Sequence, residues 1–280
     1  MRLSILDHGH RRRAKLFLAA TSKTSRVPSP DIVKMLLYRP GFLTRPLLDL
    51  TAGTMRGPSY WTAGEREYLA MSTAQLHQCP FCVVTHAELT RIAGHGEIDP
   101  DDPSSARPEL AAVRTFLVAV TQDPEHATAP PELPEHAVVE ALRVNLVFNI
   151  INRLANAFGF VLLDGQLHSG TQALHRFGYR FPAFLLAEGP KSDLRNSVLT
   201  APATTDPALR AAAADGEGLA EPLQSYVDKV REASYQITDA DIAGLKSAGH
   251  SEDEIFELTV AAALGAALRS FEAGQRVLAH

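Results

Sequence analysis

The chain has 280 residues, 45% hydrophobic and 21% charged, enough for one large or two smaller folded domains without disulfide or metal staples. A net charge of −5 leaves no electrostatic footprint for nucleic acid, and the longest apolar stretch, residues 146–163, is broken by Asn149, Asn152, Arg153, Asn156 and Gly159, too polar to face lipid. Two cysteines exclude a disulfide-stapled secreted scaffold, and the basic run Arg11-Arg12-Arg13 precedes no convincing export signal, so a cytoplasmic setting is expected.

In chain order, helix start signals recur while no strand-length alternation occurs, so the expected fold class is all-α. Short helices are predicted over 31–38, stopped by Pro40, and over 47–52. Thr62 and Glu65 have capping-box spacing for a helix to about His77, and Pro80 opens another that Gly94 closes. Residues 95–106 read as loop, 108–123 as helix and 127–134 as linker, followed by a long helix over 134–163 broken near Arg143. Apolar pieces follow at 171–177 and 181–187. Helices are then expected at 219–235, 239–248 and 252–278, with Thr238/Asp241 and Ser251/Glu254 as N-cap signals. The expected division is an N-terminal extension (1–30), a helical domain (31–189), a linker (190–218) and a smaller helical unit (219–280).

The informative segment is Gln78-Cys79-Pro80-Phe81-Cys82-Val83-Val84-Thr85-His86. With Pro80 as first helical residue, Cys79 is the N-cap and Cys82 lies in the first turn, where unpaired N–H groups and the helix dipole favour a thiolate. His86 is i+4 from Cys82, on a face continued by Leu89 and Ala93. On the preceding helix, Ala63, Glu67, Ala70, Met71 and Ala74 form one stripe, so Glu67 interrupts an inward face and needs a partner. His86 on the antiparallel neighbour is one candidate; Arg66 or Arg91 are the plain salt-bridge alternatives. Zinc held by Cys79, Cys82 and His86 with His77 or His95, or inert buried cysteines, are the competing readings of the cysteine pair.

These residues resemble the motif of the AhpD-like alkylhydroperoxidase and carboxymuconolactone decarboxylase-like superfamily. Glu67 is followed twelve residues on by Cys79, then Cys82 and His86. Residues 64–67, 56–61 and the helix around Asn152-Arg153-Leu154 are similar as well, the likeness spanning about 30–165. The resemblance implies an AhpD-like helical bundle and a thiol-dependent peroxidase. Cys82 would attack a small hydroperoxide and Cys79 would resolve the sulfenic acid, with His86 and Glu67 as proton relay. No bound cofactor is implied. An external thiol donor, dihydrolipoamide or a thioredoxin-type protein, would reduce the disulfide, and the chain would form a homo-oligomer. One departure stands out: Phe81 occupies a position where peroxidase members carry histidine. A general thiol–disulfide oxidoreductase, a decarboxylase of a small lactone acid and a non-catalytic helical assembly protein are the alternatives.

The remaining features read as structural. Asn145, Asn149, Asn152 and Asn156 make a polar stripe expected to hydrogen-bond between helices or to border the site, and Arg153 is expected to meet a carboxylate. His168, His175 and His250 read as surface or cap residues. The stretch with Glu257 and Arg269 parallels that with Glu140 and Arg153, suggesting a degenerate repeat. The alanine-rich run at 261–267 suggests an interface or cap.

Overall fold

The computed structural model describes residues 1–186 and 193–279, and among them it is helical with no β-strand. The helices are α1 (Ile5–His8), α2 (Arg12–Ser25), α3 (Asp31–Tyr38), α4 (Arg45–Arg56), α5 (Ala63–Leu76), α6 (Pro80–Gly94), α7 (Pro108–Gln122), α8 (Glu135–Phe158), α9 (Gln166–Phe177), α10 (Pro207–Asp215), α11 (Leu223–Glu232), α12 (Asp239–Ser247) and α13 (Glu252–Leu278).

The anticipated caps form. Thr62 Oγ1 accepts from Glu65 N at 3.2 Å while Glu65 Oε2 accepts from Thr62 N at 2.8 Å, and the same reciprocal boxes open α12 and α13. Helices α5 and α6 form an antiparallel pair whose outer ends touch: a Cβ on Gly64 would meet the Gly94 Cα at 2.4 Å, so position 64 requires glycine. The two longest helices, α8 and α13, carry the core. Phe148, Phe158, Leu142 and Ile150 of α8 and Phe256, Leu258 and Val260 of α13 are buried. A Cβ on Gly274 of α13 would meet Leu142 of α8 at 2.5 Å.

Several sequence expectations need correction. Helix α8 is continuous through Arg143, whose side chain points to solvent, and it stops at Phe158 because Gly159 adopts φ 66°. Helix α4 is longer than expected and α11 shorter. Of the piece expected at 181–187, residues 181–186 hold only a 3₁₀ turn at Ala183–Leu185, and residues 187–192, with the expected domain end at 189, lie outside the described residues. The segment expected as linker carries α10, with Arg210 and Ala213 fully buried.

The N-terminal extension belongs to the core: Leu3 and Leu6 are completely buried, and Arg2 donates to the carbonyls of Asn156 and Ala157 at the end of α8. The basic run Arg11-Arg12-Arg13 is exposed as expected. The alanine-rich face of α13 is buried within the chain, where a Cβ on Gly265 would meet the Ala214 carbonyl oxygen of α10 at 2.0 Å.

One clamp occurs twice. Glu140 of α8 accepts from Ser59 Oγ (2.7 Å) and Tyr60 N (2.8 Å), while Arg66 of α5 donates to the carbonyls of Thr54 (3.0 Å) and Gly57 (2.9 Å). In the C-terminal half, Glu257 of α13 accepts from Thr204 N (2.8 Å) and Thr205 N (2.7 Å). There Arg210 of α10 donates to the carbonyls of Val198 (2.7 Å) and Ala201 (2.5 Å). Glu257 also pairs with Arg39. Burial alone would raise its carboxyl pKa, but the bonds from Thr205 and Thr204 and the Arg39 charge prevail, and it lies below the ordinary range.

Replacing Glu257 with alanine removes the buried carboxylate that faces Arg39 and Arg210 and leaves the Thr204 and Thr205 amides without their acceptor, so urea denaturation is expected to show a loss of about 3–5 kcal/mol. Removing Glu232, whose pair with Arg269 is exposed, changes stability by no more than about 1 kcal/mol in the same assay.

Candidate functional site

Cys79 is the N-cap of α6 and Cys82 lies in its first turn, both buried. Their Sγ atoms are 2.6 Å apart, and both are free cysteines. Gln78, just before them, is held at φ 48°, a left-handed conformation uncommon outside glycine, which bends the chain sharply from α5 into α6.

His86 follows one turn after Cys82. Its Nδ1 lies 2.8 Å from Glu67 Oε2, so the two stripes expected to meet do meet across the α5–α6 pair. Glu67 is fully buried. It also accepts from Arg56 Nη2 at 2.6 Å and from the Tyr179 hydroxyl at 2.8 and 2.9 Å. Burial pushes its carboxyl toward the neutral form, but hydrogen bonding and charge from His86, then Arg56, outweigh that and hold its pKa below the ordinary carboxylate value. Burial and the Glu67 charge push the Tyr179 phenol well up, so it stays a donor. An ionised Glu67 accepts from Nδ1–H of His86, which leaves Nε2 outside that bond.

Neither plain salt-bridge partner serves Glu67. The Arg66 guanidinium is used on backbone carbonyls, and Arg91 reaches Asp101 at 2.6 Å and Glu88 at 3.5 Å. Arg56 and Tyr179 were not singled out by the sequence. Arg56 is the last residue of α4, and Tyr179 follows Gly178 in a left-handed turn with φ 64°, so neither carries a periodic signal. The doublet Gly178-Tyr179 is the single local hint of an enforced turn there.

The expectation of an acidified thiol at Cys82 is overturned. Burial, the hydrogen bond to the Cys79 sulfur and its charge push the Cys82 thiol well above its ordinary value. The first-turn amide of Cys82 donates to Cys79 Sγ (3.4 Å), the N-cap bond of α6.

The asparagine stripe does bond between helices. Asn145 Nδ2 reaches Thr73 Oγ1 (3.4 Å), Asn149 Oδ1 meets His77 Nε2 (2.5 Å) while its Nδ2 donates within α8 to Asn145 Oδ1 (2.6 Å), and Asn156 Nδ2 reaches the His77 carbonyl (2.8 Å) and Ser234 Oγ (3.1 Å). Asn152 is the exception, buried with neither amide atom bonded among the described residues. Among the described residues Arg153 meets no carboxylate within ion-pair distance. Its guanidinium donates to the Arg231 carbonyl (3.1 Å) and to the carbonyl and Oδ1 of Asn149 (3.1 and 2.8 Å), and burial lowers its pKa to about 10. Burial and the Arg153 charge depress the His77 imidazole to about 3, against a raising hydrogen bond with Asn149, so His77 is neutral.

Among the described residues no group of three His, Cys, Asp or Glu side chains is placed to hold a metal ion. His168 is exposed, and His175 and His250 are partly exposed. Phe81 packs edge-on against Phe160 at 5.5 Å, an apolar contact where the resembling motif would have histidine. A surface groove of about 700 Å³ lies elsewhere, lined by residues including Met1, Arg2, Asp239 and Lys246 and by no cysteine or histidine. Among the described residues no helix is long and apolar enough to cross a membrane.

No protein-family model matches the chain, and no curated protein matches it.

The depressed His77 pKa sets a pH dependence. The unfolded chain gains its His77 proton near pH 6.5, while the folded chain resists until about 3. Between these values the unfolded state binds more protons, so stability falls as pH falls, by up to about 1.4 kcal/mol per pH unit for this one proton. Urea titrations from pH 6.5 to 4.5 are expected to show that slope reduced by one proton's share in His77→Asn, whatever the variant's baseline stability.

Proposed function

We propose that the protein is a thiol-dependent peroxidase of the AhpD-like kind, reducing small hydroperoxides through a Cys79–Cys82 redox pair. One observation carries this reading. Two sulfurs lie 2.6 Å apart at the start of α6, one turn from a histidine bonded to a buried, ionised carboxylate.

In the proposed cycle the raised Cys82 pKa means that the site rests with a thiol there, and a base must take its proton. His86 Nε2 is that base, because Nδ1 is committed to Glu67. The Cys82 thiolate attacks the terminal oxygen of the hydroperoxide and the O–O bond breaks. The departing alkoxide takes the proton from His86 and leaves as alcohol, with Cys82 left as sulfenic acid. The Cys79 sulfur then attacks the Cys82 sulfur, water leaves, and the disulfide forms before further oxidation. Two electrons have passed from the sulfur pair to the peroxide. An external dithiol, dihydrolipoamide or a thioredoxin-type donor, returns them. A cytoplasmic setting suits such a donor, and homo-oligomeric assembly belongs to the same proposal.

The C-terminal half reads as a degenerate copy of the first unit, a reading supported by the repeated clamp. Arg66 and Arg210 each stand four residues after their N-caps, Thr62 and Asp206, and Glu140 and Glu257 each stand five after the first residue of α8 and α13. In that register Ala211 stands where Glu67 does. A proline also marks the start of α11, as its N-cap Pro222, where Pro80 is the first residue of α6. The copy retains the clamp and lacks the thiols.

Treatment of the reduced protein with tert-butyl hydroperoxide is expected to remove two hydrogens from the intact mass, and Cys82→Ser to abolish peroxide consumption. Unchanged turnover in Cys82→Ser contradicts the assignment, and a sulfinic acid as sole product in the wild type removes Cys79 as resolver.

A further inference from the structure

Asn152 is the anomaly of the site. Its side chain is fully buried, and neither Nδ2 nor Oδ1 has a hydrogen-bond partner among the described residues, although Asn145, Asn149 and Asn156 on the same helix are all bonded. A buried amide left unpaired destabilises the fold, and an apolar residue of the same shape would avoid that cost.

Helix register places the amide. Trp61 Nε1 reaches the Ala137 carbonyl, Asn145 reaches Thr73 and Asn149 reaches His77, so α8 runs alongside α5 in the same direction. Helix α6 returns antiparallel, and its His86 ring lies 4.4 Å from the Phe148 ring of α8. One turn back along α6 from His86 is Cys82; one turn forward along α8 from Phe148 is Asn152. A further turn on, Asn156 bonds the His77 carbonyl, two residues before Cys79. Asn152 therefore stands level with the thiol pair, between a residue that touches His86 and one that touches the approach to Cys79.

Resting on the peroxidase reading, we propose that the Asn152 amide is the peroxide-binding group of the site, accepting the hydroperoxide O–H at Oδ1 and donating from Nδ2 to the inner oxygen. That oxygen becomes the alkoxide as Cys82 takes the outer one, so the Nδ2 donor bonds most strongly as charge develops. The substrate class is a hydroperoxide with both an O–H donor and an inner acceptor oxygen. A thiol-modifying reagent without an O–O group gains nothing from the amide.

The test compares two reactions in wild type, Asn152→Leu and Asn152→Ala: disulfide formation by tert-butyl hydroperoxide, and thiol modification by methyl methanethiosulfonate. The expected result is a loss of about 10²-fold in the peroxide rate constant, with the methanethiosulfonate rate within about threefold and thermal stability of Asn152→Leu equal to or above wild type. If Asn152→Leu does not fold, Asn152→Ala decides by the same two rates. A peroxide rate equal to wild type, or equal losses in both reactions, overturns the role of Asn152 while leaving the peroxidase reading standing. Absence of any peroxide-formed disulfide in wild type overturns the peroxidase reading and this inference with it.

Discussion

The site depends on one buried charge. Glu67 has no solvent exposure, yet it is held ionised by His86, Arg56 and Tyr179. A carboxylate in that position without such partners would take up a proton and cease to orient its neighbour. Ionised and three-fold bonded, it accepts from His86 Nδ1 and so fixes the tautomer of the imidazole one turn along α6 from Cys82. The partners come from α4, α6 and the turn after α9, so the charge also ties together segments more than a hundred residues apart.

The surrounding frame makes this arrangement rigid. The Thr62–Glu65 box fixes where α5 begins, the Gly64–Gly94 contact fixes its register on α6, and the left-handed Gln78 fixes the short turn between them. Helix α8 lies against both, contributing Phe148 to the His86 ring and the asparagine stripe to the end of α5. The C-terminal half supports α8 through α13. Its buried Glu257 and Arg210 use the same means, a carboxylate on backbone amides and a guanidinium on backbone carbonyls.

Much of this was legible in the sequence because it rests on local chemistry. Pro80 after Cys79, the Thr62–Glu65 spacing and the i+4 histidine each specify their structure within a few residues. The Glu67–His86 contact was readable because an acidic residue on a buried stripe demands a partner on the adjacent helix. Arg56 and Tyr179 were not readable, since one ends a helix and the other sits in an irregular turn. The inward stripe of Cys82, His86, Leu89 and Ala93 made the burial of Cys82 readable, but not its consequence: helix-start chemistry predicts an acidified thiol, and burial together with the neighbouring Cys79 pushes the thiol up instead. Composition misled at residues 207–215, where Asp206 and Pro207 are a helix start and the small residues that follow pack inward. Leu3 and Leu6 were misjudged similarly, because their burial depends on the ends of α8 and α13 meeting the N-terminus.

The most direct test of the account is the rate of peroxide-driven disulfide formation in Glu67→Gln, a change that keeps the shape and removes the charge. With the fold retained by circular dichroism, the account predicts a loss of about 10²–10⁴-fold, the usual scale for a lost acid–base relay. A rate equal to wild type would show that the cysteines react without direction from the buried carboxylate, and would contradict the account.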